Sequence, residues 1–286
     1  MEDEMMKYGK YFPEWEKMTV REIRGYLSKR ASVIVPLGVT EQHGYHLPTC
    51  TDTMLAAGIS KRVGAKAEMI VAPALNMSFS GGQLPGTINV NPNVFGLLVA
   101  EVLRSLVAQG ARNLFLVLGH GGSENFRSLD NSLKLLLRDD PAFAEVMLVF
   151  APVWKFTDAY HKGFAARDWH AGYVETSLML AVAPELVQMD ELAVDTPELV
   201  KMMRGHPDNY QFAMKPIEDE KVIARMAQRP EIKVGVMGMP EKASLELGRR
   251  VVDASVEQMS AEFTRLEKKR SRTYRKVKWV PEPIVL

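Results

Sequence analysis

Strand-like and helix-like segments alternate along this chain of 286 residues. That alternation predicts an α/β fold, a mainly parallel sheet covered by helices on both faces. Two observations carry the prediction. Short runs rich in β-branched and aliphatic residues recur at 33–37, 69–72, 114–118, 147–150 and 232–236, as buried parallel strands do. Between them lie segments of helical period at 52–65, 93–109 and 124–137.

Local signals justify the elements in turn. Thr51-Asp52 caps the first of these helices, Asn91-Pro92-Asn93 opens the second, and Gly110 ends it. A long helix is predicted over 243–268, with Leu245, Leu247, Val251, Val252, Val256, Met259 and Phe263 forming its apolar stripe. The stripe keeps no strict heptad, so it reads as an outer helix of the same domain rather than a coiled coil. From 192 to 230 the pattern weakens into polar, proline-containing sequence, which predicts an insertion or lid. The expected organisation is one domain over 1–286 with that insertion and a basic C-terminal tail at 268–286.

Composition narrows the function classes. Thirty-six basic residues against 35 acidic leave a net charge of +1, so no overall field draws the chain to nucleic acid or anionic lipid. Seven basic residues and Tyr274 between 268 and 278 read as a solvated helix end beside the negative pole of the helix dipole. A single cysteine, Cys50, excludes an internal disulfide framework and fits a reducing compartment. The acidic start Met1-Glu2-Asp3-Glu4 lacks the form of a secretory signal. The most apolar stretch, 94–103, carries Glu101 and is too short to span a bilayer. The expectation is a cytoplasmic protein acting on a small molecule, with no nucleic-acid or membrane partner.

Candidate chemistry gathers just past the predicted strand ends, where open α/β sheets bind ligands. Glu41, His43 and His46 follow the first run, Ser78 and Ser80 the second, His120 the third and Trp154 the fourth. In extended backbone, Glu41 and His43 reach the same side while Gln42 turns away. Asp52 opens the next helix and can return its carboxylate to the same place, and Glu175 supplies a further arm. Three carboxylates crowded into one pocket repel one another, and two divalent cations with one hydroxide balance them. Mixed imidazole and carboxylate donors suit zinc, manganese or iron rather than calcium or magnesium. Gly121 and Gly122 lack the Gly-Lys-Ser/Thr of a phosphate loop.

Pro36-Leu37-Gly38-Val39-Thr40-Glu41-Gln42-His43-Gly44 through Asp52, Pro85-Gly86-Thr87, Gly119-His120-Gly121-Gly122 and His170-Ala171-Gly172-Tyr173-Val174-Glu175-Thr176-Ser177 resemble, in this order, the motifs of the creatininase (creatinine amidohydrolase) family. The resemblance runs over 33–187 and again over 232–248. It implies a three-layer α/β/α sandwich, a two-metal centre and a homo-oligomer, usually a hexamer. It also implies that Glu41 and His120 hold one metal, His43 the other, that Asp52 bridges them, and that His170 is the proton donor and acceptor. The family's further carboxylate falls at Gly122 here, so the sequence fits a Gly-His-Gly-Gly branch in which Glu175 takes that role, with Glu124 in reserve. Trp154 matches a family tryptophan, a second such position is Ala166, and an acidic contact is Trp169, which argues against creatinine itself. Trp154, Trp169, Ser80, Gly121 and Arg167 are the expected substrate contacts, with Arg127 a further receptor for oxygen-rich groups.

The expected reaction is attack of a metal-activated water on the carbonyl of a small cyclic amide. The alternatives are carbon–carbon hydrolysis of a cyclic ketone derived from inositol, as some relatives perform, and a non-catalytic assembly protein that keeps the fold. A serine hydrolase built on Ser123 or Ser177 lacks a Gly-x-Ser-x-Gly elbow.

Overall fold

The computed structural model describes residues 8–278. Helix α1 (Val20–Leu27) precedes β1 (Ser32–Leu37), which runs through α2 (Thr51–Ala67) to β2 (Ile70–Val71). Then α3 (Pro92–Ala108) leads to β3 (Asn113–Leu118), and α4 (Ser123–Asp139) leads to β4 (Met147–Pro152). All four strands are parallel, in the order β2-β1-β3-β4, with Leu37 opposite Leu118 at the carboxyl edge. Helices α5 (Asp158–Ala165) and α6 (Tyr173–Val182) follow. After them come α7 (Pro197–Met203), the antiparallel pair β5 (Gln211–Met214) and β6 (Arg225–Gln228), and the long α8 (Leu245–Lys269).

The period-2 alternation of the strands divides the core into two layers. Val33, Val35, Leu37, Leu114 and Leu116 pack with Phe95, Val99 and Leu103 of α3 and Leu129, Leu133 and Leu136 of α4. Ile34, Phe115 and Val117 pack the other way, onto Leu55 and Ile59 of α2, Leu178 of α6 and Val252 and Phe263 of α8. Phe115 stacks on Phe263 with ring centroids 4.3 Å apart. Helix–sheet–helix layering therefore follows from strands apolar on both faces, and each such buried side chain contributes about 2 kcal/mol. The stripe of α8 from Leu247 to Phe263 lies in this core while Leu245 is exposed, and the Arg30–Glu267 ion pair at 2.5 Å holds the helix beside the start of β1.

One predicted strand is absent. Ile232, Val234, Gly235 and Val236 are buried, but residues 232–236 form no ladder. The Asp195 carboxylate accepts from the backbone N–H groups of Lys233 (2.7 Å), Val234 (3.2 Å) and Gly235 (2.7 Å), and Gly235 has φ +77°. A side chain satisfies the amides that a neighbouring strand would have taken. The segment 192–230 contains α7 and the β5–β6 hairpin, with Met203 packed against Ile232 and Met237.

The tail turns back on the sheet edge. Arg270 donates to the Glu145 carbonyl and the Tyr274 hydroxyl to the Val146 carbonyl. The acidic start at 1–4 and the end of the tail at 279–286 lie outside the described residues. Among the described residues, no helix is long and apolar enough to cross a membrane.

Candidate metal centre

The chain leaves β1 toward β2 on one side, and β3 returns to the other side of β1, so the crevice between the ends of β1 and β3 is the switch point of the sheet. Two glycines there let the first turn of α2 descend into it. A Cβ on Gly38 would strike the backbone of Thr53, and one on Gly119 would strike the carbonyl of Asp52. Asp52 is thereby wedged between the loops that follow the two strands, 3% exposed.

Around it the side chains converge. His120 Nδ1 lies 2.9 Å from Asp52 Oδ2 and 3.3 Å from Glu41 Oε2. His43 Nε2 lies 3.3 Å from Asp52 Oδ1 and 3.9 Å from Glu175 Oε2. His170 Nδ1 is 4.0 Å from Glu41 Oε2. Three overlapping groups have donor atoms within 4.8 Å of one another: Glu41, Asp52 and His120; His43, Asp52 and Glu175; and Glu41, His43 and His170. Glu124 belongs to none of them.

Supporting contacts fix the rings. His43 Nδ1 lies 3.0 Å from the Glu41 carbonyl, which can only accept, so Nδ1 carries the proton and Nε2 offers a lone pair to the centre. That Nε2 is fully buried and has no hydrogen-bond partner. His170 Nε2 likewise donates to the Gln42 carbonyl at 2.8 Å, which frees its Nδ1. The Ser80 hydroxyl donates to Glu41 Oε1 at 2.6 Å, and the Ala171 N–H donates to Glu175 Oε2 at 2.7 Å. Asp168 accepts from the N–H groups of Tyr173 (3.1 Å), Val174 (3.2 Å) and Met239 (2.7 Å), which orders the loop carrying His170 and Glu175.

Charge is tightly coupled here. Burial would raise the Glu41 carboxyl, but His170, His120 and His43 outweigh it and hold it at about 2. Asp52 is lowered in the same way, burial being overcome by His43 and His120. Burial opposes a charge on His43, yet Asp52, Glu175 and Glu41 push it up to about 10. His120 is raised well above its ordinary value by Glu41 and Asp52, against burial. Burial pushes Glu175 up to about 8, with Asp52 and Glu41 adding to the rise against the pull of His43. Without a cation, these carboxylates thus draw protons onto their imidazole neighbours.

Above this floor is a cavity of about 360 Å³ whose lining includes Ser80, Gly121, Gly122, Glu124, Trp169 and His170. Trp169 stacks on Phe164 at 5.6 Å and gives its indole N–H to the Arg204 carbonyl. Two expected substrate contacts lie elsewhere. Trp154 packs against both hydrophobic layers with its ring edge near Gly121, and Arg167 is exposed at a turn with φ +59°. Arg127 lies on α4 and also outside the lining. His46 is fully buried against Thr176 (3.0 Å), and Ser78 donates to the Gly38 carbonyl (2.8 Å), so both brace loops. Ser177 is buried and bonded to the Tyr173 carbonyl.

Sequence reasoning missed several neighbours. Gln42 does not turn away: residues 41–43 are not a regular strand, and its carboxamide Nε2 lies 3.2 Å from His170 Nε2. Tyr210, Asp208 and Gln228 reach the cavity from the segment expected to be an insertion. An Asp five residues before the first turn of a helix was the one available signal for Asp168.

The family model described as creatininase, creatinine amidohydrolase, matches residues 16–263. The creatinine amidohydrolase of Pseudomonas putida is 31% identical over 182 residues, 58% of this chain and 69% of that one. The mycofactocin precursor peptide peptidase of Mycobacterium ulcerans is 28% identical over 247 residues, 82% of this chain and 85% of that one. A solved creatininase variant of Zn-Zn type has the same fold, with a TM-score of 0.71 at 22% identity over 91% of this chain and 99% of that one. The chain belongs to the creatininase family.

Proposed function

We propose that this protein is a metal-dependent hydrolase that cleaves a carbon–nitrogen bond in a small cyclic amide or related compound other than creatinine. The observation that carries the reading is the sharing of Asp52 between two ligand groups, one with Glu41 and His120, the other with His43 and Glu175. The buried, unpartnered Nε2 of His43 and the mixed imidazole and carboxylate donors fit two ions of zinc, manganese or iron. Glu41 and His120 would hold one ion and His43 and Glu175 the other, with Asp52 available to both. When bound, the ions lower the pKa of water toward about 7 and polarise a carbonyl.

The chain's own groups do the rest. His170 keeps Nε2–H on the Gln42 carbonyl, so Nδ1 accepts a proton from the attacking water and returns it to the leaving nitrogen. Gly121 and Gly122 line the cavity at the amino end of α4, where free backbone N–H groups favour a developing oxyanion. Trp169 and Ser80 bound the substrate, and the segment 192–230 is the insertion that walls it in. Exposed Val94, Leu97 and Leu98 on α3 supply apolar surface for the homo-oligomer that the family resemblance implies.

The test is an assay of purified protein, loaded with zinc, manganese or iron, against a panel of cyclic amides and an inosose. The expected result is amide turnover that a chelator abolishes and added metal restores. Ring opening of the inosose alone would move the reaction to carbon–carbon cleavage. Failure on the whole panel with both ions bound would overturn the reading.

A further inference from the structure

The residues above the metal floor point to the charge of the substrate. An oxygen-rich, anionic substrate would need basic receptors, yet Arg127 and Arg167 both lie away from the cavity. Among the described residues, the lining contains no lysine or arginine. It contains instead two carboxylates at the mouth, Glu124 and Asp208, and three aromatic side chains, Phe164, Trp169 and Tyr210. The carboxylates come from separate elements: Glu124 from the first turn of α4, Asp208 from the loop between α7 and β5. Both are solvent-exposed, so neither is locked into the internal ion pairs of the floor.

We propose that the cavity selects a substrate carrying a positive charge, an ammonium or comparable cation held between Glu124 and Asp208 and against the aromatic wall, while the scissile amide lies over the metal centre. The inference rests on the hydrolase reading only for that second clause. Its physical basis is twofold. Aromatic faces attract cations through their quadrupoles, and carboxylates at a partly enclosed mouth add a field of the same preference. The indole N–H of Trp169 is already committed to the Arg204 carbonyl, so that residue offers a ligand its ring rather than a donor. Tyr210 senses the same field. Burial raises its hydroxyl, and Glu124, Glu41 and Asp208 raise it further, so the phenol stays neutral among these acids. Glu124 also suits the positive end of α4, which offsets part of its pull, and Asp208 Oδ2 lies 3.7 Å from His206 Nδ1 at the surface.

The probes are benzyltrimethylammonium, benzyl alcohol and benzenesulfonate, titrated calorimetrically into metal-loaded protein at low ionic strength. The quaternary cation cannot ligate a metal, so its affinity reads the wall and not the floor. It should bind about tenfold more tightly than the alcohol, with the sulfonate weakest. The Glu124→Gln/Asp208→Asn double variant should shrink the cation-to-alcohol ratio to about threefold, the aromatic share. Binding of the cation no tighter than of the alcohol, or an unchanged ratio in the double variant, overturns the inference.

Turnover separates this inference from the hydrolase reading. At pH 7 the amino-substituted lactam 3-aminopiperidin-2-one should be turned over with a kcat/KM about tenfold above that for uncharged piperidin-2-one. Equal turnover of the two lactams overturns the charge preference and leaves hydrolysis standing. If neither lactam reacts while the cation still binds best, cation recognition stands and amide hydrolysis falls.

Discussion

The two sides of the cavity are built by different means. The floor hangs from the carboxyl ends of β1 and β3 and the first turn of α2, elements fixed by a fully buried apolar core. Its side chains lie within a few ångströms of one another and are almost wholly buried, so each charge is answered by another. The opposite wall comes from residues 207–237, where regular structure is sparse and a buried carboxylate, Asp195, holds the backbone in place. Ile232 and Met237 of that wall are buried, while Pro207 and Asp208 are exposed. A rigid rim suits chemistry, which tolerates displacements of only a fraction of an ångström, and an irregular wall suits specificity, which changes by altering a few contacts.

The contrast makes graded predictions. Asp52→Ala should reduce activity to background and remove both ions, because one carboxylate serves both ligand groups; retention of one full equivalent of metal would break the shared-bridge assignment. His170→Ala should leave metal content intact and lower kcat about 10²–10⁴-fold. An emptied site in that variant would make His170 a ligand rather than a proton carrier.

Proton linkage sharpens the account of the floor. In metal-free protein the neighbouring carboxylates push His43 up to about 10 and raise His120, so protons compete with a metal for these rings. Metal affinity should therefore rise with pH up to about 10. Calorimetry at pH 7 in buffers of different ionisation enthalpy should detect proton release; no buffer dependence would contradict the coupling.

The wall should respond differently. Asp195→Ala leaves three backbone N–H groups without their carboxylate and should cost about 3 kcal/mol in urea unfolding. It should also raise KM more than it lowers kcat, because Gly235 and Met237 line the cavity while the ligands lie elsewhere. Equal losses in both would tie the wall to the chemistry. The smallest effect belongs to Arg167→Ala, which should change kcat/KM by less than about twofold, given its place on the outer surface.

The sequence revealed the floor far better than the wall, and the reason is local. Strands β1 and β3 carry the unbroken apolar runs 33–37 and 114–118, each followed by glycine, so the residues just beyond them, Glu41, His43 and His120, could be placed on one edge from pattern alone. Asp52 was legible as the opening of a helix. Glu175 was different: it stands 55 residues beyond His120 in sequence, was read only as a further arm of the pocket, and took its place at the second metal from the family resemblance. Residues 232–236 carry the composition of a strand, and nothing local announces that Asp195, 38 residues before Lys233, takes their amides. Gln42 was misread because strict alternation was assumed where the backbone turns. Trp154 follows β4, which runs on to Pro152, and packs against the two hydrophobic layers rather than joining the cavity lining.

The central claim is that two cations share Asp52 at the switch point of the sheet. The most direct measurement is elemental analysis with anomalous diffraction on protein purified without chelator. The account predicts two equivalents of zinc, manganese or iron, one peak among Glu41, Asp52 and His120 and the other among His43, Asp52 and Glu175. A single equivalent, or no anomalous peak touching Asp52 in metal-saturated crystals, would contradict it.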